Sequence, residues 1–121
     1  MSAPNLVNVS TITAKSFQEA LTTTLTNEII ANAGSSGKVF KVNNIIVANI
    51  DGSSAVDVSV FITKSGGSPI AIASTISVPA DSTLVVVDKN SALYLEEGDN
   101  IEAGAGAASD LVITINYEEL S

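Results

Sequence analysis

Four carboxylates fall within seven positions: Glu96, Glu97, Asp99 and Glu102 surround Gly98 in the stretch LYLEEGDNIEAG. Two kinds of chemistry use such groups. Carboxylate oxygens that converge on one point hold a calcium ion. A carboxylate pair facing across a cleft hydrolyses glycosidic bonds, but its members normally come from distant parts of the chain. The ligand spacing of a helix–loop–helix calcium site is absent here. On a strand–turn–strand, Glu96 and Glu97 point to opposite sides, so only some of the four carboxylates can converge. Gly98 supplies the positive φ of a tight turn, and Asp99 accepts local backbone hydrogen bonds. The stretch therefore reads as a turn between strands. A low-affinity calcium site formed by Glu96, Glu97, Asp99 and Glu102 is the alternative, and no cofactor is otherwise called for.

The remaining composition narrows the chemistry further. The chain has no Cys, so thiol nucleophiles, disulfides and zinc–thiolate sites are excluded. It has no His, the commonest general base and transition-metal ligand. The only cationic side chains are Lys15, Lys38, Lys41, Lys64 and Lys89, so there is no guanidinium to clamp a phosphate or carboxylate.

Other local patterns fall short of the motifs they approach. Gly34-Ser-Ser-Gly37-Lys38 has two residues between its glycines where a phosphate loop has four, and Val39 follows the lysine. Gly104-Ala-Gly106-Ala-Ala-Ser109 ends one residue away from a dinucleotide fingerprint and leads into a strand. Asn49-Ile50-Asp51-Gly52 offers oxygens to a cation but reads more simply as a turn. Tyr94 and Tyr117 are of a type that stacks on sugar rings, yet in a small β domain such residues usually belong to the core or its rim. No set for nucleophilic, acid–base or metal catalysis emerges, and the chain reads as a non-enzyme.

The elements that carry these residues are strands. Hydrophobic residues make up 45% of the 121-residue chain, but only three Phe and two Tyr are aromatic and Trp is absent. A core of Val, Ile, Leu and Ala follows, with the β-branched members favouring strands. In KVFKVNNIIVANI, residues 38–50, alternation puts Phe40, Val42, Ile46, Ala48 and Ile50 on one face. Val56, Val58, Val60 and Ile62 then alternate with Asp57, Ser59, Phe61 and Thr63. Ile70, Ile72, Ile76 and Val78 continue the pattern up to Pro79, and the continuously apolar TLVVVD at 83–88 reads as a central strand. Leu93 and Leu95 lead into the acidic turn, Ile101 and Ala103 start a strand beyond it, and Leu111, Ile113, Ile115 and Tyr117 mark the last. Short strands at this spacing leave no room for helical crossovers. They predict a single all-β domain, an antiparallel β-sandwich or jelly roll, over residues 15–121.

The first third is open to two readings. Ser16-Phe17-Gln18-Glu19 matches a helix capping box, and Phe17, Leu21, Leu25 and Ile29 recur every four residues. Against a helix stand Thr22, Thr23, Thr24 and Thr26, and the alternation of Leu21, Thr23 and Leu25 favours a strand. Residues 1–14 carry Pro4 and scattered apolar side chains, Leu6, Val7, Val9 and Ile12, which predict an arm or an edge strand that meets a partner.

Net charge is −8, which argues against nucleic-acid backbones and anionic membranes as partners. The opening MSAPNLVNVS lacks the basic and apolar regions of a signal peptide, so secretion is not expected and the Asn8-Val9-Ser10 sequon reads as chance.

The lysine-flanked strand ending in Asn-x-Asp-Gly, the Val-Pro-Ala before TLVVV, the Leu-x-Leu-Glu-Glu-Gly-Asp turn and the Tyr-Glu-Glu close together resemble small β-sandwich virion proteins of tailed bacteriophages. The resemblance spans roughly residues 20–120. It implies a structural role in the virion, as a head decoration (cement) protein on the capsid surface or as a neck, tail or fibre component. The implied partners are the major capsid protein or other virion proteins and further copies of the chain, a trimer among the possible oligomers. The resemblance brings no catalytic residues. A calcium-dependent carbohydrate-binding module is the alternative from a different class.

Overall fold

The computed structural model describes residues 6–121. Nine strands follow one another: β1 (Ile12–Ala20), β2 (Asn27–Ala31), β3 (Val39–Asn49), β4 (Val56–Thr63), β5 (Ile70–Val78), β6 (Thr83–Val87), β7 (Leu93–Leu95), β8 (Asn100–Ala105) and β9 (Leu111–Leu120). Two single 3₁₀ turns, Leu6–Asn8 and Lys89–Ser91, are the only helical pieces among the described residues. One sheet runs β1-β9-β3-β6, with β7 also pairing β3; the other runs β2-β8-β4-β5. Every pairing is antiparallel. With β7 set aside as a short addition, this order is the double Greek key of a jelly roll, as the strand spacing predicts.

The core lies between the sheets and is aliphatic. Val42, Ile45 and Val47 of β3, Val58 and Val60 of β4, Ile101 and Ala103 of β8, and Ile113 and Ile115 of β9 are fully buried. The alternation expected for β4 is realised, with Val56, Val58 and Val60 inside and Asp57 exposed. In β9, Leu111, Ile113 and Ile115 face inward across from the central strand β3.

Three expectations need correction. In β3, the single face drawn through Phe40, Val42, Ile46, Ala48 and Ile50 breaks after Val42. The ladder to β9 skips a residue between Val42 and Asn44, so the inward set becomes Val42, Ile45 and Val47, while Ile50 is 63% exposed. A bulge adds one residue and thereby exchanges the two faces. The TLVVV strand, β6, is an edge strand rather than a central one: among the described residues it pairs only with β3, and Val85 is exposed. In β5, Ile70, Ile72 and Ile76 are also exposed, because β5 is the other sheet's edge and its ladder to β4 shifts register twice.

The ambiguous first third forms strands. Phe17 pairs with Ile115 in the β1–β9 ladder, and the capping-box residues Ser16 and Glu19 lie inside β1. β1 begins at Ile12, so the last three residues of the segment 1–14 belong to the sheet. Residues 21–26 cross over sheet β2-β8-β4-β5, where a Cβ on Gly104 would stand 2.4 Å from Leu25 Cα and 2.5 Å from the Thr24 carbonyl oxygen. Only a glycine lets the two backbones come this close.

Candidate functional site

The acidic turn joins β7 to β8 at one end of the sandwich, beside the β2–β3 and β4–β5 loops. Gly98 has φ +86, and its amide donates to the Asn32 carbonyl at 2.8 Å. Asp99 is 1% exposed. Its Oδ1 accepts from the Ser65 amide at 3.0 Å, its Oδ2 accepts from the Glu96 amide at 2.8 Å, and the Lys64 ammonium closes the set on Oδ2. Burial pushes the Asp99 carboxyl up, but the Lys64 charge and the two amides outweigh it and hold the group below its ordinary range. The same contact raises the Lys64 pKa, the Asp99 hydrogen bond being the largest cause.

Of the other three carboxylates, Glu96 shares the Lys64 ammonium with Asp99, and Glu97 and Glu102 find other partners. Glu96 is mostly exposed and lies 3.7 Å from Lys64 Nζ. Glu97 Oε2 accepts from the Gly37 amide at 3.0 Å, and Glu102 Oε1 accepts from the Thr63 hydroxyl at 2.5 Å. Among the described residues, no group of three or more acidic side chains is placed to share a metal ion. What the geometry does is mechanical: Asp99 ties the β4–β5 loop to the β7–β8 turn, and Glu97 ties in the β2–β3 loop.

Two buried asparagines work alongside, one at each end of the sandwich. Asn32 donates from Nδ2 to the Lys38 and Leu95 carbonyls and accepts from Ser36 on Oδ1. Asn49 donates to the Ser54 and Val78 carbonyls, and its Oδ1 accepts from the Asp51 amide. The Asn49-Ile50-Asp51-Gly52 stretch is thus a turn whose amide oxygen is already used, and Asp51 turns back to Ser53. Asn32 carried no signal in the sequence, because Leu95, one of its partners, is 63 residues away.

The two tyrosines do not form a platform. Tyr94 pairs with Lys41 and Tyr117 with Val42, neighbouring positions that face opposite sides of β3. Tyr117 packs on Phe40 with ring centroids 5.3 Å apart, and burial raises its pKa, with Glu119 adding to the rise. A shallow depression of about 340 Å³ beside it is lined by Lys15, Ser16, Asn43 and Asn116. The amides there are engaged already, Asn43 with Glu118 and Asn116 with Asn44.

Of the residues expected to meet a partner, Pro4 lies outside the described residues. Leu6 and Val7 sit in the first 3₁₀ turn and are exposed, Val9 is half-buried, and Ile12 opens β1 at 61% exposure. Ser10 and Thr11 donate backbone hydrogen bonds to the Ser121 carbonyl, which fastens the start of β1 to the chain's last residue. No helix among the described residues is long and apolar enough to cross a membrane. No known protein family and no curated protein sequence matches the chain.

Proposed function

We propose that the chain is a non-enzymatic structural protein of a tailed-phage virion, a head decoration protein that binds the capsid surface and stabilises the shell. The proposal starts from the resemblance of its turn and strand motifs to small virion proteins. Jelly rolls serve in viral capsids and in lectins alike, so the fold agrees with this role without choosing it. The observation that carries the reading is the contrast between the two ends of the polar chemistry. The acidic turn, with four carboxylates in seven positions, is committed to holding loops. Exposed aliphatic side chains, by contrast, stand at the amino-terminal segment and along sheet edges.

In this role the protein acts by mass action: a ligand that binds only the assembled shell stabilises it in proportion to its occupancy. The acidic coat, with net charge −8, discourages contact with nucleic acid. The amino-terminal segment, with Leu6 and Ile12 exposed, is the part offered to the shell. The test is binding of purified chain to shells that lack it. A chain shortened by residues 1–9 keeps the Ser10 and Thr11 bonds to Ser121 and all of β1, so it should fold and bind more weakly. Equal binding by the shortened chain would remove the segment from the account. A neck or tail location is separated from the shell by copy number.

A further inference from the structure

We infer that β1 is a strap that opens as a unit while the rest of the sandwich stays folded, and that the edge of β9 it uncovers takes β1 from a second copy of this chain. Among the described residues, β1 is the one strand with no buried side chain. Phe17 and Glu19 are half-buried, and its other seven residues are exposed. Of its apolar side chains, Phe17 alone packs against the core. What holds β1 is therefore its ladder to β9, nine residue pairs from Ile12–Leu120 to Ala20–Val112.

Segments with few buried apolar contacts and solvent-exposed backbone hydrogen bonds open at lower free energy than the core. When β1 opens, its ladder bonds are exchanged for bonds to water, and the freed residues regain conformational entropy. Phe17 supplies the packing that is lost. The opening has a natural limit at Leu21, which is 1% exposed. The Leu21 amide donates to the Leu111 carbonyl at 2.8 Å, and its carbonyl accepts from the Ser109 amide at 3.1 Å. Neither bond involves β1, so the hinge lies between Ala20 and Leu21. β9 stays in place without β1, because it pairs with β3 on its other side and buries Leu111, Ile113 and Ile115. At the far end, exposed Ser10 and Thr11 bond only to the Ser121 backbone among the contacts that fasten the strap there.

The uncovered side of β9 is a row of unpaired backbone donors and acceptors, which an extended segment can fill by adding a strand. The occupant follows from the ladder itself. β1 sets Phe17 opposite Ile115, brings Gln18 Nε2 to 3.3 Å from Thr114 Oγ1, and places Lys15 Nζ 4.0 Å from Glu119. A second copy brings the same side chains in the same register. Exchange of an identical element between copies remakes the contacts it breaks and so costs little.

This inference does not depend on the virion reading and is tested on the purified full chain. In hydrogen exchange followed by NMR, the β1 amides bonded to β9 should be at least about tenfold less protected than those of β3. A dye-labelled peptide of residues 10–20 serves as the second copy's β1. Added in excess, it should bind at a rate that stops rising with peptide concentration, because opening of the strap limits it. Phe17→Ala in the chain should raise peptide uptake about fivefold or more, and Phe17→Ala in the peptide should lower it by a similar factor. β1 amides protected as strongly as those of β3 would overturn the strap. A chain that takes up no peptide would overturn the exchange, as would uptake that Phe17→Ala leaves unchanged on both sides.

Discussion

Replacing Asp99 by Ala tests the clasp at the acidic turn. The substitution leaves the Ser65 and Glu96 amides, at 3.0 and 2.8 Å from the carboxylate, without acceptors. Each stranded donor costs about 1–3 kcal/mol. Lys64 adds little, because its side chain is 51% exposed and is hydrated when freed. The expected loss is therefore about 2–6 kcal/mol, a large part of the ~5–15 kcal/mol that holds a domain folded. At roughly 4 °C per kcal/mol for this chain length, the melting temperature should fall by about 8–24 °C. Asp99→Asn keeps one acceptor oxygen and the volume, so it should lose about half as much. The acid dependence has a definite sign. The folded Asp99 pKa is below its ordinary 3.8, so the carboxylate's contribution is complete above that value and disappears as the pH falls through the folded pKa. Calorimetry between pH 7 and pH 2.5, on wild type and Asp99→Asn, should show this component of the acid limb flattened in the variant. An Asp99→Ala loss below about 1 kcal/mol would refute the assignment of Asp99 as the loop clasp.

Three further outcomes follow from the same geometry. Gly104→Ala would drive a methyl group into the backbone of Thr24 and Leu25, so the melting transition should move by the equivalent of about 3 kcal/mol or more. Asn49→Ala strands the Ser54 and Val78 carbonyls and the Asp51 amide, and chemical denaturation should register a loss of about 2–5 kcal/mol. Because Glu97 and Glu102 bond to separate groups and Glu96 and Asp99 share the Lys64 ammonium, adding a chelator to protein purified in calcium should leave the melting temperature within about 1 °C; a larger fall would restore the calcium-dependent reading.

Much of the fold was legible where a strand obeys one period throughout. Val56, Val58 and Val60 alternate with exposed or polar neighbours, and β4 keeps that phase in the structure. The β3 phase was legible only as far as Val42, because the bulge that follows is made by long-range pairing with β9 and leaves no local mark. β6 shows a different limit. An uninterrupted apolar run tells that both faces are partly covered, but not whether a neighbour lies on both sides, and Val85 remains exposed at an edge. Around Phe17 and Leu21, every-fourth spacing suits a helix and a strand crossing equally. The choice is made by β9, against which β1 pairs through its whole length. The turn at Gly98 could be read from its glycine and acidic residues, whereas its clasp to Lys64 and Ser65 required knowing which loops share that end of the sandwich.

The proposed place of this protein is tested most directly by quantitative mass spectrometry of phage particles purified from its source. The account predicts copies of this chain in numbers comparable to those of the major capsid protein. A small fraction of that number would contradict the decoration role and point to the neck or tail. Absence from the particles would contradict the virion reading altogether.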